Sequence, residues 1–207
     1  MLTILLCVVG CGAESGPSYP SDWTLEVSTS ASALVADAGW DPMTFFEQVC
    51  LHAEQISDGS GLTFDLDGAS GTIGLHGTRA GNSGRFGFAS SGSGRADVNQ
   101  GEIFDHLFGP APERVGQDFF TMDEAAYLVA VIVVHEVGHA LSLPHNANST
   151  LMQAAPTLVV SVRHAYTAAE VERIHEFTGG PPQPAGGPSS CACCGPGNVP
   201  IPNCVPG

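Results

Sequence analysis

Apolar residues recur at helical spacing in the first half of the chain. Asp41 and Pro42 form an N-cap and a first helical residue, a pair with which helices commonly begin. The helix that they predict has one apolar face, made of Phe45, Phe46, Val49, Ala53 and Ile56, with Cys50 beside it as a small hydrophobe. Such a face predicts that the helix packs against a core.

Two capping boxes predict two further helices. Thr121 and Glu124 stand three residues apart just before the run 125–134, which is apolar on every side. We therefore expect a buried helix there. Thr167 and Glu170 repeat the box, apolar residues follow at helical spacing, and the Gly-Gly pair beyond them predicts the end of this last helix.

Shorter stretches have the alternation of β-strands. Residues 23–28 form the first, and glycine and serine separate four more candidates: 62–65, 72–75, 85–88 and 96–99. The pattern between 101 and 118 is weaker. Asp105 and His106 within it raise the option of a second metal site, but we interpret the stretch as a loop.

The side chains best suited to metal binding and catalysis cluster between residues 135 and 145. His135 and His139 are four residues apart, so on a helix both rings project from one face and can hold one metal ion. Glu136 is rotated by roughly 100° from His135, which suits a general base beside a metal-bound water better than a ligand. Pro144 ends the helix, and the turn can bring His145 back as the third ligand. Three histidines leave one position of a zinc ion open for water, as in catalytic sites.

This stretch resembles the zinc-binding pattern of the metzincin metallopeptidases, H-E-x-x-H-x-x-G-x-x-H. Ser142 stands where the pattern has its glycine. That glycine normally has a positive φ, which serine adopts only at some energetic cost, so we expect a turn that is strained or differently built. Residues 149–152 resemble the family's Met-turn, with Met152 as the hydrophobic floor beneath the metal.

The resemblance covers roughly residues 22–179 and implies an α+β, metzincin-like (zincin) domain. Its parts would be a twisted mixed β-sheet, a long active-site helix, the Met-turn and a C-terminal helix like that of the matrixin branch. The implied cofactor is one catalytic Zn²⁺; calcium ions, which matrixins also carry, find no clear motif here. By the same resemblance, residues 96–100 would form the edge strand along which an extended substrate pairs. A merely solvated edge strand is the alternative. The remaining histidines that we interpret as structural, surface or packing residues are His52, His164 and His175.

Charge and composition limit the classes of molecule that the protein is expected to bind. The chain has 21 acidic residues against 6 arginines and no lysine, a formal net charge of −15. This charge argues against nucleic acid or an anionic membrane as an electrostatic partner, whereas peptide or protein substrates remain compatible. The 207 residues suffice for one domain with a real core, and we expect a monomer.

The N-terminus resembles a bacterial lipoprotein signal. An apolar run from Leu2 to Val9 ends at a lipobox-like Val-Val-Gly-Cys, although no basic residue precedes the run. Cleavage before Cys11 would leave that cysteine lipid-modified, and the run is too short to span a membrane. We expect export, as a cell-envelope lipoprotein or a secreted protein, with residues 1–21 as signal and linker.

Residues 180–207 form a tail rich in Pro, Gly and Cys, in which neither helix nor strand is expected. Once Cys7, Cys11 and Cys50 are set aside, four cysteines remain, consistent with two disulfides: Cys191, Cys193, Cys194 and Cys204. Pairing of the adjacent Cys193 and Cys194 is geometrically disfavoured.

The function that these features predict is that of an exported zinc metalloendopeptidase. His135, His139 and His145 would hold the zinc ion, and Glu136 would deprotonate the water that attacks the peptide bond. One alternative is a zinc amidase that acts on cell-wall amides, which the sequence does not separate from a peptidase. Another is a non-catalytic surface-binding module with structural zinc, against which the presence of Glu136 speaks.

Overall fold

The computed structural model describes residues 19–77, 86–109 and 120–179, together with 194–195 and 199–200. The expected signal segment with Cys11, the tail cysteines Cys191, Cys193 and Cys204, and Arg85 of one predicted strand lie outside these residues. Within the described part of the chain, no helix is long and apolar enough to cross a membrane.

The main domain contains five strands and five helices among the described residues. In chain order they are β1 (Asp22–Val27), α1 (Thr29–Asp37), α2 (Pro42–Ile56), β2 (Thr63–Asp65), β3 (Gly71–His76), β4 (Gly87–Ala89), β5 (Arg95–Asn99), α3 (Gln100–Phe108), α4 (Met122–Ala140) and α5 (Ala168–Thr178). The fold is therefore α+β with a mixed sheet, as the sequence predicts. Two short tail strands, β6 (Cys194–Gly195) and β7 (Val199–Pro200), pair antiparallel.

The five-stranded sheet has the order β2-β1-β3-β5-β4. Its first four strands are parallel, and β4 alone runs antiparallel, against β5. Registers such as Leu25 with Ile73, and Ile73 with Ala96, place buried apolar side chains on one row across the sheet. β4 is consequently the edge strand on the side of α4, which packs against β4, β5 and α2.

The three predicted helices begin where their caps place them. Asp41 accepts the backbone N–H of Thr44 at the start of α2, and both capping boxes are formed. The apolar face predicted for α2 is buried, including Cys50. In α4, every residue from 128 to 134 is buried, so the expectation of a helix surrounded by protein is confirmed.

Three expectations from the sequence are wrong. Residues 100–108 form helix α3 rather than a loop, because Ile103, Phe104 and Phe108 share one buried face. Residues 96–100 are not at the edge, since β5 pairs with β3 on one side and with β4 on the other. The tail does contain strand pairing, since a ladder of two residues per strand needs little regular backbone and proline is tolerated at strand edges.

One helix has no counterpart in the sequence analysis. Helix α1 begins at Ser28, whose hydroxyl accepts the N–H of Ala31. Among its nine residues only Ala31 and Val35 are buried. Because the buried side chains are few and one of them is an alanine, the apolar pattern is too weak to indicate a helix there.

Candidate metal centre

The last two turns of α4 carry three of the four predicted site residues, and two of these are buried. His135 and Glu136 lie in the penultimate turn and are 4% and 6% exposed. His139 lies one turn further on and is half-buried, whereas His145, beyond the helix, is exposed. Burial thus decreases from His135 through His139 to His145, and the side of the site near His145 faces solvent.

Ser142 produces the reversal that brings His145 back. It has a φ of 67°, in the left-handed region, and is the one non-glycine residue with positive φ among the described residues. The Leu143 N–H donates to the Gly138 carbonyl and the Ser142 N–H to the His139 carbonyl, the two bonds of a Schellman motif. The turn is therefore the one that glycine usually makes, built with a serine.

The turn between β4 and β5 supports this reversal. The Gly92 N–H donates to the Ala140 carbonyl at 2.8 Å, which satisfies an otherwise free acceptor at the end of α4. The hydroxyl of Ser91 is hydrogen-bonded to that of Ser142. The edge of the sheet and the end of the helix are joined at this point.

The three imidazoles converge through the same ring atom. Nε2 of His139 lies 3.1 Å from Nε2 of His135 and 3.0 Å from Nε2 of His145. A tetrahedral zinc ion with bonds of about 2.0–2.1 Å to nitrogen separates its ligands by about 3.3 Å. The spacing fits one such ion. Within the described part of the chain, this is the one group of three or more His, Cys, Asp or Glu side chains close enough to share a metal.

Backbone carbonyls set the tautomer of two of the rings. Nδ1–H of His135 donates to the Leu151 carbonyl at 2.7 Å, and Nδ1–H of His139 donates to the Leu143 carbonyl at 2.9 Å. A neutral ring whose Nδ1 carries the proton has its lone pair on Nε2. The lone pairs of these two rings therefore point to the centre of the triad. A cation bound there attracts both lone pairs and so stabilises the arrangement.

Burial keeps the innermost ligand neutral. It lowers the pKa of His135 to about 4, against a smaller opposing effect of the bond to Leu151. Burial also lowers the pKa of His139. Neutral imidazole is the form that binds metal, so at neutral pH no proton has to be removed from His135 before an ion enters.

Glu136 occupies a buried position next to the edge strand. Burial raises the pKa of its carboxyl to about 7. A methyl group on Gly87 of β4 would lie 2.6 Å from Cγ and 2.8 Å from Oε1 of Glu136, closer than atoms pack. Only a glycine at 87 leaves room for this carboxylate.

Met152, which the resemblance places in the Met-turn, packs against α4 at Gly138, the residue before His139. It is fully buried, and a methyl group on Gly138 would lie 2.6 Å from its Sδ. The Asn146 N–H donates to the Met152 carbonyl at 2.7 Å and closes the loop between the third histidine and the methionine. Gly138 is thus required by the close approach of this loop to α4.

The other histidines lie apart from the triad. His52 bonds to Asp123 at 2.9 Å, a partner that the sequence does not reveal because the two are 71 residues apart. His164 is buried and bonds to Tyr127 and to the Thr157 carbonyl, and His175 is buried in α5. Both are packing residues, as predicted.

Two contributors to the site are absent from the sequence analysis. Gly87, predicted only as part of a strand, shapes the space around Glu136. Glu170, predicted only as part of a capping box, bonds to Asn146 and Ser149 in the loop after the third histidine. A contact between residues so distant along the chain leaves no local signal. In the sequence, Glu170 has the same place in a capping box as Glu124, and only its burial in the structure sets it apart.

No family model and no curated protein matches the chain. Among solved structures, archaemetzincin from Methanopyrus kandleri is similar, with a TM-score of 0.47 and 14% sequence identity. The likeness covers 80% of this chain and 98% of that one. At this level of likeness two chains need not share a function, so the proposal below rests on the side chains of the site.

Proposed function

We propose that this chain is a zinc-dependent metalloendopeptidase of the metzincin type. The observation that carries the proposal is the convergence of three Nε2 atoms, from His135, His139 and His145, beside a buried glutamate. Three protein ligands leave one position of the ion for water and substrate, as catalytic zinc requires.

The zinc ion, when bound, lowers the pKa of a water molecule to about 7 and polarises the carbonyl of the scissile bond. Glu136 takes the attacking water's proton on its carboxylate and passes it to the leaving amine. Burial raises the pKa of this carboxyl, which favours its acceptance of the water's proton. His135 and His139 keep their orientation through the carbonyls of Leu151 and Leu143.

An extended peptide is the substrate that the surroundings of the site favour. β4 lies at the end of the sheet, and its Gly87 touches Glu136. The outer edge of the strand, unpaired within the part of the chain that the structure describes, therefore runs past the proposed base. A peptide that adds itself to this edge would form main-chain hydrogen bonds and pass close to the metal. The edge strand in the proposal is therefore β4, in place of the 96–100 segment that the sequence indicated.

We also propose that the protein is exported, as a lipoprotein anchored through Cys11 or in secreted form. The support is the apolar run followed by a lipobox-like sequence before residue 12. These residues lie outside those that the structure describes. The matrixin branch likewise stays a prediction, since it rests on the C-terminal helix alone.

Hydrolysis of an unbiased pool of quenched peptides, with zinc content measured in parallel, tests the proposed activity. The native chain is compared with Glu136→Gln and with Glu124→Gln, a matched control on the same helix whose carboxylate is exposed and bonds to Thr121. We expect all three proteins to hold zinc, and only Glu136→Gln to lose cleavage, by about 10²-fold or more.

Other results would redirect the proposal. If all three proteins hold zinc and none cleaves a peptide, cell-wall amides become the next substrates to assay. Failure on those as well would favour the surface-binding module with structural zinc. Full activity of Glu136→Gln would contradict its role as the base.

A further inference from the structure

The loop from His145 to Met152 serves the metal centre in three ways. It carries the third histidine at its start. Its Leu151 carbonyl accepts the Nδ1–H of His135 at 2.7 Å, and its Met152 packs against α4 at Gly138. A shift of this loop would therefore alter two ligands and the packing of Met152 against α4 together.

One carboxylate from a distant helix holds this loop at two places. Oε1 of Glu170, in α5, accepts a hydrogen bond from Nδ2 of Asn146 at 3.0 Å. Its Oε2 accepts one from the hydroxyl of Ser149 at 3.1 Å. Glu170 is only 7% exposed, and its bond to Ser149 is buried while that to Asn146 is partly buried. Hydrogen bonds shielded from water in this way are stronger than those at the surface.

Ser149 passes the constraint on to the residues that matter. Its Oγ accepts the backbone N–H of Leu151 at 3.2 Å and that of Met152 at 2.9 Å. The hydroxyl therefore connects the Glu170 carboxylate to the peptide unit that orients His135. Asn146 makes the corresponding connection at the other end, because it directly follows His145 in the chain.

The chain offers an internal comparison for what a capping glutamate needs. Glu124 and Glu170 occupy the same position of two capping boxes, and each accepts the N–H of its N-cap threonine, at 2.8 Å and 2.7 Å. Among the residues that the structure describes, Glu124 bonds only within its own box, to Thr121, and these bonds are exposed. The extra bonds of Glu170 are not explained by helix capping.

We propose that Glu170 is a positioning residue of the metal centre, which fixes the His145–Met152 loop so that His145 and the Leu151 carbonyl stay in register with α4. The inference rests on the metal site of the proposed function but not on its peptidase activity. Partners one shell beyond the metal ligands typically change metal affinity by about 10–100-fold when they are lost.

Metal binding without turnover tests the role. Zinc affinity is measured by competition with a chelator for the native chain, Glu170→Ala, Glu170→Gln and the matched control Glu124→Ala. The visible spectrum of the Co²⁺-loaded proteins reports ligand geometry. We expect Glu170→Ala to bind zinc about 10-fold more weakly or worse, with altered cobalt bands, and Glu124→Ala to match the native chain in both. Both alanine variants should lose thermal stability through the lost cap.

Glu170→Gln keeps the fold testable, because glutamine also completes a capping box. It presents an NH₂ to one of the two loop donors, so we expect partial rescue, with a zinc affinity between those of the native chain and Glu170→Ala. Native zinc affinity and an unchanged cobalt spectrum in both Glu170 variants would overturn the inference. A native chain that binds zinc but cleaves nothing would overturn the proposed peptidase instead, and a native chain that binds no zinc would overturn the metal site itself.

Discussion

The tight contact between Gly87 and Glu136 makes one substitution especially informative. Gly87→Ala adds a methyl group 2.6 Å from Glu136 Cγ, 2.8 Å from its Oε1 and 2.8 Å from the Asp97 carbonyl oxygen. Optimal contacts are about 3.5 Å or longer, so Glu136 has to move by about 0.7–0.9 Å. The clash with the Asp97 carbonyl is relieved only by a small shift of β4 against β5, which strains the sheet, whereas the clash with Glu136 is relieved by its flexible side chain. The carboxylate is therefore displaced while the histidines, which are not among the nearest atoms, are untouched.

The size of the effect follows from the displacement. A misplacement of about 1 Å at a reacting group can reduce the rate about 10²-fold. We expect kcat/KM for a cleaved peptide to fall about 30–100-fold, which corresponds to about 2–2.7 kcal/mol in the activation barrier. Zinc content should be unchanged.

Peptide hydrolysis at a fixed zinc load is the assay, well below the melting temperature of each variant. Gly71→Ala is the matched control, because its added methyl group would lie 2.7 Å from the Trp23 ring, in the same sheet but away from Glu136. Overpacking should destabilise both variants, by about 1–3 kcal/mol, but only Gly87→Ala should lose activity. Native kcat/KM in Gly87→Ala would refute the placement of Glu136 against β4.

Three further results follow from the same geometry. Gly138→Ala should lower both zinc affinity and melting temperature, because the added methyl group displaces the fully buried Met152. An unchanged zinc affinity, measured by competition with a chelator, would contradict the prediction that Met152 supports the metal site. Ser142→Gly should raise the free energy of unfolding by up to about 1 kcal/mol, because a left-handed backbone costs a non-glycine residue about 1–2 kcal/mol. A lower midpoint of denaturation by urea would instead show that the serine hydroxyl matters more than the backbone strain. Burial raises the pKa of Cys50 to about 12, so its thiol should stay protonated and react slowly with an alkylating reagent at pH 8 until denaturant is added. Fast labelling of Cys50 in the native protein, mapped by mass spectrometry, would refute the burial of this thiol.

Local patterns were sufficient for most of the main domain. The caps at Asp41, Thr121 and Thr167 predicted three helices because capping is a contact within four residues. The ligand set was predicted for the same reason, since His135, Glu136 and His139 share one helix and Pro144 ends it. Ser142, the one departure from the glycine pattern, adopts the glycine's conformation, so the turn tolerates the serine.

Contacts between distant segments could not be predicted in this way. The position of β4 at the sheet edge depends on strand order, which alternation along one strand does not specify. The bonds of Glu170 to Asn146 and Ser149 join residues 24 and 21 positions apart. Helix α3 is a different case, because Ile103, Phe104 and Phe108 already had helical spacing and could have been recognised from the sequence.

The zinc K-edge X-ray absorption spectrum of the purified full chain tests the central claim most directly. A catalytic three-histidine site predicts one zinc per chain, with three imidazole nitrogens and one further oxygen at about 2.0–2.1 Å and the multiple scattering typical of histidine. Sulfur at about 2.3 Å would place the metal on cysteines instead. That result, or a chain without stoichiometric zinc, would contradict the account of His135, His139 and His145 as the metal ligands.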